Sequence, residues 1–227
     1  YEYALSCSSS GKVIVEKYVR GTELTFEGLS VGGKHYILAI SDKIKPRHGV
    51  ASQLAYPADI SDKQENECRN LLSRAFDAAH IDNTPTHSEI ILGADGPRII
   101  EVGCRGGGFF VFTRVVEAVT GYDIAGNWTR LCAGDSVDVP VAGRKGVVLR
   151  FLTGRPGKLK HVTGMKKAME VPGVDAGSFL KAGEYVSEMV NDGSRAGWLI
   201  ARGRDRYEAL TRADEAEKHI EFITEAQ

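Results

Sequence analysis

Two glutamates, Glu89 and Glu101, bracket a stretch of strand-like residues, and their spacing is the first chemical signal in the chain. Ile90-Ile91-Leu92 and Ile99-Ile100 read as strands separated by Gly93-Ala94-Asp95-Gly96-Pro97. If Leu92 pairs with Arg98 across a five-residue loop, Ile91 faces Ile99, Ile90 faces Ile100 and Glu89 faces Glu101. Side chains alternate along strands, so the two carboxylates project from one face. Like charges placed opposite each other cost stability. A hard cation such as Mg2+, which takes oxygen ligands and accepts one or two carboxylates together with phosphate oxygens, would neutralise them. An edge hairpin with two solvated glutamates, or a register one residue away, fits the pattern equally well.

Val102-Gly103-Cys104-Arg105-Gly106-Gly107-Gly108 follows at once. On a continuing strand Arg105 shares the face of Glu101, and a guanidinium there suits gripping a phosphoryl or acyl-phosphate oxygen. The glycine run lets backbone approach an anion closely. Two other motifs carry no such chemistry. Ser8-Ser9-Ser10-Gly11-Lys12 lacks the G-x-x-x-x-G-K spacing of a phosphate loop, and Gly103 to Gly108 is not a G-x-G-x-x-G fingerprint. Both read as turns.

The elements that position these residues can be read from periodicity. Val13-Ile14-Val15 is a β-branched run; Leu24 and Phe26 alternate with polar neighbours, and Gly32-Gly33 marks a hairpin returning through His35 to Ile40. Asp42 to Asp59 reads as a long polar loop, a kind that is usually functional or mobile. Ser61 and Gln64 have the form of a capping box before a helix whose inner face is Cys68, Leu71, Leu72, Ala75, Phe76 and Ala79. A second helix carries Phe109, Phe112, Val115, Val116 and Val119 and stops at Gly121; a third starts at Asp123 and ends near Gly134. Short strands follow at 146–151, 185–186 and 197–201, and a last helix from about Glu208 turns Ala209, Ala213, Ala216 and Ile220 inward. The expected architecture is α+β with two parts, residues 1–143 and 144–227.

The chain has 227 residues with 29 Lys+Arg against 30 Asp+Glu, so it offers no net field for nucleic acid or anionic lipid. No apolar run approaches the roughly 20 residues of a membrane span, and Tyr1-Glu2-Tyr3-Ala4 lacks the basic and apolar regions of a signal peptide. Cys7, Cys68, Cys104 and Cys132 contain no C-x-x-C pair, so free thiols in a reducing cytoplasm are expected, with Cys104 read as packing.

Taken together, Val15-Glu16-Lys17-Tyr18-Val19-Arg20-Gly21-Thr22-Glu23 and His87-Ser88-Glu89, followed by Glu101-Val102-Gly103-Cys104-Arg105, resemble the ATP-grasp superfamily. Within it the chain looks most like carboxylate–amine ligases that include L-amino-acid ligases. Val119 to Asp123 and Ala133-Gly134-Asp135 are similar to the helical stretch after the metal strands there, and Arg150 to Gly197 is similar to that branch's C-terminal subdomain. The resemblance implies an ATP-grasp C-terminal lobe, an antiparallel sheet with helices packed on it, plus a small α+β subdomain. It also implies roles. Glu16, Lys17, Tyr18 and Val19 would form the strand and hinge beneath adenine, and Glu23 would accept from the ribose hydroxyls. Glu89 and Glu101 would hold Mg2+ on the ATP phosphates, and Arg105 would steady the transferred group. Lys43 is a phosphate candidate, with a solvated loop lysine as the competing reading. His87 shares a face with Glu89 and is read as packed.

One departure stands out: Gly103 occupies the place where many members carry the Asn that serves a second Mg2+. The implied chemistry is phosphorylation of a small-molecule carboxylate by ATP, then attack of an amine on the acyl phosphate, with amino acids among the candidate substrates. Such catalysis rests on positioning and charge neutralisation. Competing readings are a purine-biosynthetic or biotin-carboxylase/carbamoyl-phosphate type of ATP-grasp ligase, a nucleotide-binding module without turnover, and an interaction domain with glutamates at its surface. Assembly is open, a homodimer among the options. The first ATP-grasp lobe and the domain before it have no counterpart in these residues, so the expectation is a fragment that is inactive alone.

Overall fold

The computed structural model describes residues 1–45, 50–138 and 140–225. A short helix, α1 (Glu2–Ser6), precedes an irregular segment, and β1 (Thr22–Val31) then turns into β2 (Lys34–Ile44). Gly32 and Gly33 make this turn with φ of +58° and +73°, the positive angles a two-residue hairpin needs. β3 (Gln53–Tyr56), α2 (Asp62–Ala78), β4 (Thr84–Gly93) and β5 (Gly96–Gly103) follow. Next come a π-helical turn, Val111–Val115, that runs into α3 (Val116–Thr120), then α4 (Ile124–Cys132), β6 (Gly146–Leu152) and β7 (Gly157–Thr163). The rest is α5 (Met165–Ala168), β8 (Val174–Ser178), β9 (Tyr185–Val186), β10 (Gly197–Gly203), α6 (Arg206–Glu217) and β11 (Glu221–Thr224).

Among the described residues, eight strands form one sheet in the order β5-β4-β1-β2-β3-β6-β10-β8, and β11-β7-β9 form a smaller one. The expected α+β class with an antiparallel sheet is what the structure has. The large sheet crosses residue 143 without interruption, because β3 pairs with β6 from Gln53↔Arg150 to Tyr56↔Val147. Arg206 adds a bidentate tie from the start of α6 to Asp42 on β2, at 2.6 and 2.8 Å.

One face of β1, β2 and β4 is apolar. Leu24, Phe26, Ile37, Ile40 and Ile90 meet Cys68, Leu72 and Phe76 of α2 there. The capping box forms as the sequence suggests, with Gln64 N–H donating to Ser61 Oγ and Ser61 N–H donating to Gln64 Oε1. Burying Leu72 and Phe76 fully contributes about 2 kcal/mol each. α3 ends where Gly121 adopts φ +78°, and Asp123 caps α4 by accepting from Gly126 N–H.

Several expectations need correction. Residues 12–20, with Val13-Ile14-Val15 and Glu16 to Val19, form no strand, and Ile14, Val15 and Tyr18 stay exposed. β1 already has β2 and β4 on its two sides, so this run has no ladder partner to satisfy its backbone groups. The segment 42–59 is not one long loop. β2 continues to Ile44 and β3 pairs with it, setting Lys43 opposite Leu54; residues 46–49 of the expected loop lie outside the described residues. β7, β8, β11, α1 and α5 are elements that periodicity missed. Ile220 lies beyond the end of α6, and Cys104 is exposed instead of packed.

Candidate functional site

The face of β1 and β4 opposite α2 carries the polar residues. Glu23, Thr25 and Glu27 alternate with Leu24 and Phe26 on β1, and His87 and Glu89 alternate with Ser88 and Ile90 on β4. Of these, Thr25, His87 and Glu89 border a cavity of about 460 Å³ that is also lined by Lys43, Lys45, Glu101, Arg105, Phe109, Phe151 and Arg195.

The hairpin reaches the expected pairing by a different route. The turn is tight, with Gly93↔Gly96 and Leu92↔Pro97, so Ile91 faces Arg98 and Ile90 faces Ile99. Gly96, at φ +96°, lets the chain close in this short space. A bulge between Glu89 and Ile90 on one side, at Ile100 on the other, then restores Glu89↔Glu101. The two carboxylates therefore do stand opposite each other, and Arg105 joins Glu101 through Nη2–Oε1 at 2.8 Å.

Glu89 has other partners. Lys43 donates from Nζ to Glu89 Oε1, and also to Glu23 Oε1 at 2.8 Å. Lys45 reaches the second oxygen of Glu23 at 2.5 Å. Lys43 is thus a nearly buried strand residue, not a solvated loop lysine. Burial alone would lower its pKa, but the hydrogen bonds and charges of Glu23 and Glu89 outweigh that and raise it. His87 is likewise more than packing. Its Nδ1 lies 2.7 Å from Glu27 Oε1 and its Nε2 3.4 Å from Glu89 Oε1. Burial works against its charge, yet the two carboxylates push its pKa up to about 9. Burial would raise Glu89, but His87 and Lys43 bring it down to about 2. The core of the site is therefore a run of alternating acidic and basic side chains, Glu27–His87–Glu89–Lys43–Glu23.

Glu27, 1% exposed, is the central residue that sequence reasoning missed. Its signal was present: a carboxylate at mid-strand in phase with Glu23. Gly107 explains part of the glycine run. A Cβ there would come 2.9 Å from Glu27 Oε2 and 2.8 Å from Val111 Cγ1, so only glycine lets the loop close over this carboxylate. Phe109 and Phe110 follow with φ of +48° and +70°. Such angles are strained for bulky residues and cluster at functional sites. Glu16, Lys17, Tyr18 and Val19 do not line this cavity; they lie in the exposed irregular segment before β1.

A divalent cation suits the donor set in part. Among the described residues no cluster of three or more His, Cys, Asp or Glu could hold a metal by itself. Two opposed carboxylates, one of them about half exposed, instead match a cation that takes most of its remaining oxygens from phosphate or water. Gly103 supplies no further ligand.

Comparison with known proteins gives a consistent result. Residues 1–112 match the ATP-grasp domain family, and residues 150–225 match the L-amino acid ligase C-terminal domain 2. The chain is 26% identical over 216 residues to the uncharacterized protein y4rH of Sinorhizobium fredii, covering 94% of this chain and 45% of that protein. The crystal structure of an L-amino acid ligase from Bacillus licheniformis superposes with a TM-score of 0.83 at 19% identity, over 92% of this chain and 53% of that one. Phosphoribosylglycinamide synthetase from Anaerococcus prevotii gives 0.81 at 14% identity, over 99% and 58%. The chain thus spans about half the length of the relatives it matches. No helix among the described residues is long and apolar enough to cross a membrane.

Proposed function

Because the chain belongs to the ATP-grasp superfamily, we propose that it is the C-terminal half of an ATP- and Mg2+-dependent ligase that joins a carboxylate to an amine. The observation that carries this reading is the Glu89–Glu101 pair facing a cavity that Lys43 and Arg105 also line. The match of residues 150–225 favours amino acids as substrates.

The reaction has two steps. A carboxylate oxygen of the first substrate attacks the γ-phosphorus of ATP; the bond to the bridging oxygen breaks, releasing ADP and leaving an acyl phosphate. The amine then attacks the acyl carbon, phosphate departs, and the amine proton passes to solvent or to the leaving phosphate. Mg2+ held by Glu89 and Glu101 would neutralise charge on the phosphate oxygens. Arg105, held by Glu101 beside the cavity, is assigned to the transferred group, for which a guanidinium is suited. Lys43 and His87 keep Glu89 ionised and fixed, so a cation meets a preformed carboxylate. Glu23 is assigned to the ribose hydroxyls, exchanging its contacts with Lys43 and Lys45 for them, and backbone groups of Glu16 to Val19 are assigned to adenine. The four free thiols accord with a reducing, cytoplasmic setting.

The test is an ADP-release screen of the full-length protein against panels of amino acids. ADP that forms only when a carboxylate and an amine are both present supports the ligase. The likeness to phosphoribosylglycinamide synthetase favours a second reading, a purine-biosynthetic type of ligase, in which ADP appears when a phosphoribosylamine is the amine offered beside an amino-acid carboxylate, and not with amino-acid pairs. Release driven by bicarbonate moves the assignment to the carboxylase type.

A further inference from the structure

Arg195 enters the cavity wall from the segment between the 3-10 turn Asp192–Ser194 and β10, and the chemistry above does not use it. Its side chain is 4% exposed. The guanidinium carbon lies 3.5 Å from the ring centre of Phe151 and 4.3 Å from that of Phe109, which face each other edge to face at 5.4 Å. Two aromatic rings thus fix the guanidinium by cation–π contact. Phe109 adopts its left-handed backbone in making this arrangement.

The charge is under-compensated. Nη2 donates to Ala51 O at 3.2 Å and pairs with Asp192 Oδ1 at 2.6 Å. Nε is buried without a partner, and no described residue accepts from Nη1. Asp192 itself is 63% exposed, so solvent screens its contribution. Burial, more than Asp192 restores, draws the guanidinium pKa below its ordinary value. Desolvating a guanidinium is costly, and this one stands in the wall of a cavity also lined by Ala51, Leu54, Val111 and Phe151, with Nη1 uncommitted among the described residues.

We propose that Arg195 is the anchor for a substrate carboxylate that does not react, the one carried by the amine-donating amino acid. The planar fork suits a carboxylate, and the rings exclude water from the pair. The reacting carboxylate belongs at the other charged end, beside Glu89, Glu101 and Arg105, where phosphoryl transfer removes its charge. Only the choice of which substrate carries the anchored group rests on the ligase reading; the anion site itself rests on the geometry.

The test measures binding of L-amino acids, taken singly, to the full-length protein with a non-hydrolysable ATP analogue and Mg2+ present. Each amino acid that binds is compared with its carboxamide. A charge-assisted hydrogen-bonded pair is worth roughly tenfold or more in affinity. The expected result is that wild type prefers the amino acid by about tenfold or more, Arg195→Lys keeps part of that preference, and Arg195→Gln brings the two ligands within about twofold. A merely structural arginine would lower the thermal stability of Arg195→Gln without changing this ratio. Equal binding of amino acid and carboxamide to wild type, an unchanged preference in Arg195→Gln, or no amino acid bound at all would overturn the proposal. The wild-type comparison and Arg195→Lys keep the test decisive if Arg195→Gln does not fold. ADP release is scored separately: discrimination without turnover leaves the carboxylate site standing and removes the ligase.

Discussion

Glu89 and Glu101 face each other across the β4–β5 ladder, yet each has its own cations: Lys43 and His87 for Glu89, Arg105 for Glu101. Those cations offset the like charges, and on the proposed reading a divalent cation would take the carboxylates in exchange for Lys43 and Arg105, freeing these two for phosphate. Glu101 is the more open partner, so Glu101→Gln should leave folding within about 1 kcal/mol, as for an exposed ion pair. It should also cut Mg2+-dependent nucleotide affinity by about tenfold or more. Titration of a fluorescent ATP analogue with and without Mg2+ checks this; an unchanged metal dependence removes Glu101 from the site.

Lys43 is the cation that two part-buried carboxylates share. Lys43→Met leaves Glu23 with Lys45 and Glu89 with His87, and should cost about 1–3 kcal/mol in urea denaturation, between the penalties for an exposed and a buried pair. A loss below about 0.5 kcal/mol would show that Lys43 is as weakly engaged as a surface lysine.

The charges around His87 set a pH window. Its folded pKa, about 9, lies above the ordinary 6.5, so its stabilising contribution is complete below about pH 6.5 and is lost as pH rises through 9. Glu89, lowered from 4.5 to about 2, contributes above about pH 4.5 and loses this as pH falls through 2. Stability from this cluster should therefore plateau between about pH 4.5 and 6.5 and decline by on the order of 2 kcal/mol toward pH 9. Chemical denaturation across pH should show that decline in wild type and a flattened alkaline limb in His87→Gln.

Gly107 covers Glu27 too closely for any side chain. Gly107→Ala should displace the loop that carries Arg105 and Phe109, costing about 1–3 kcal/mol and lowering turnover more than it raises KM for ATP. Gly108, where a Cβ meets nothing within 4 Å, is the control: its alanine variant should stay near wild type. Equal effects at both positions would mean that the loop responds to glycine's flexibility and not to the contact with Glu27.

Local rules read well wherever a single element decided the outcome. Gly32-Gly33, the Ser61–Gln64 box, Gly121 and Asp123 all act as their chemistry dictates. The Glu89–Glu101 apposition was legible too, although two errors compensated: a tighter turn and a bulge at Ile100 add up to the pairing of a looser loop. What stayed hidden depends on partners distant in sequence. Val13 to Val15 has strand-like residues but joins no sheet, because both sides of the adjoining β1 are taken, whereas Gln53 to Tyr56 has a short, unremarkable pattern and two neighbours waiting for it. His87 could not be assigned a charge without Glu27, 60 residues away. Arg195 could not be placed at the cavity without Phe109 and Phe151.

The β3–β6 ladder has a mechanical consequence for selection. It joins the strands bearing Glu23, Lys43 and Glu89 to those that bring Phe151 and Arg195, in one hydrogen-bonded sheet from β5 to β8. On the proposed reading, the span between the Glu89–Glu101 pair and Arg195 would then be set by the sheet, a gauge block and not a caliper, and a ligand of the wrong length would meet a fixed gap.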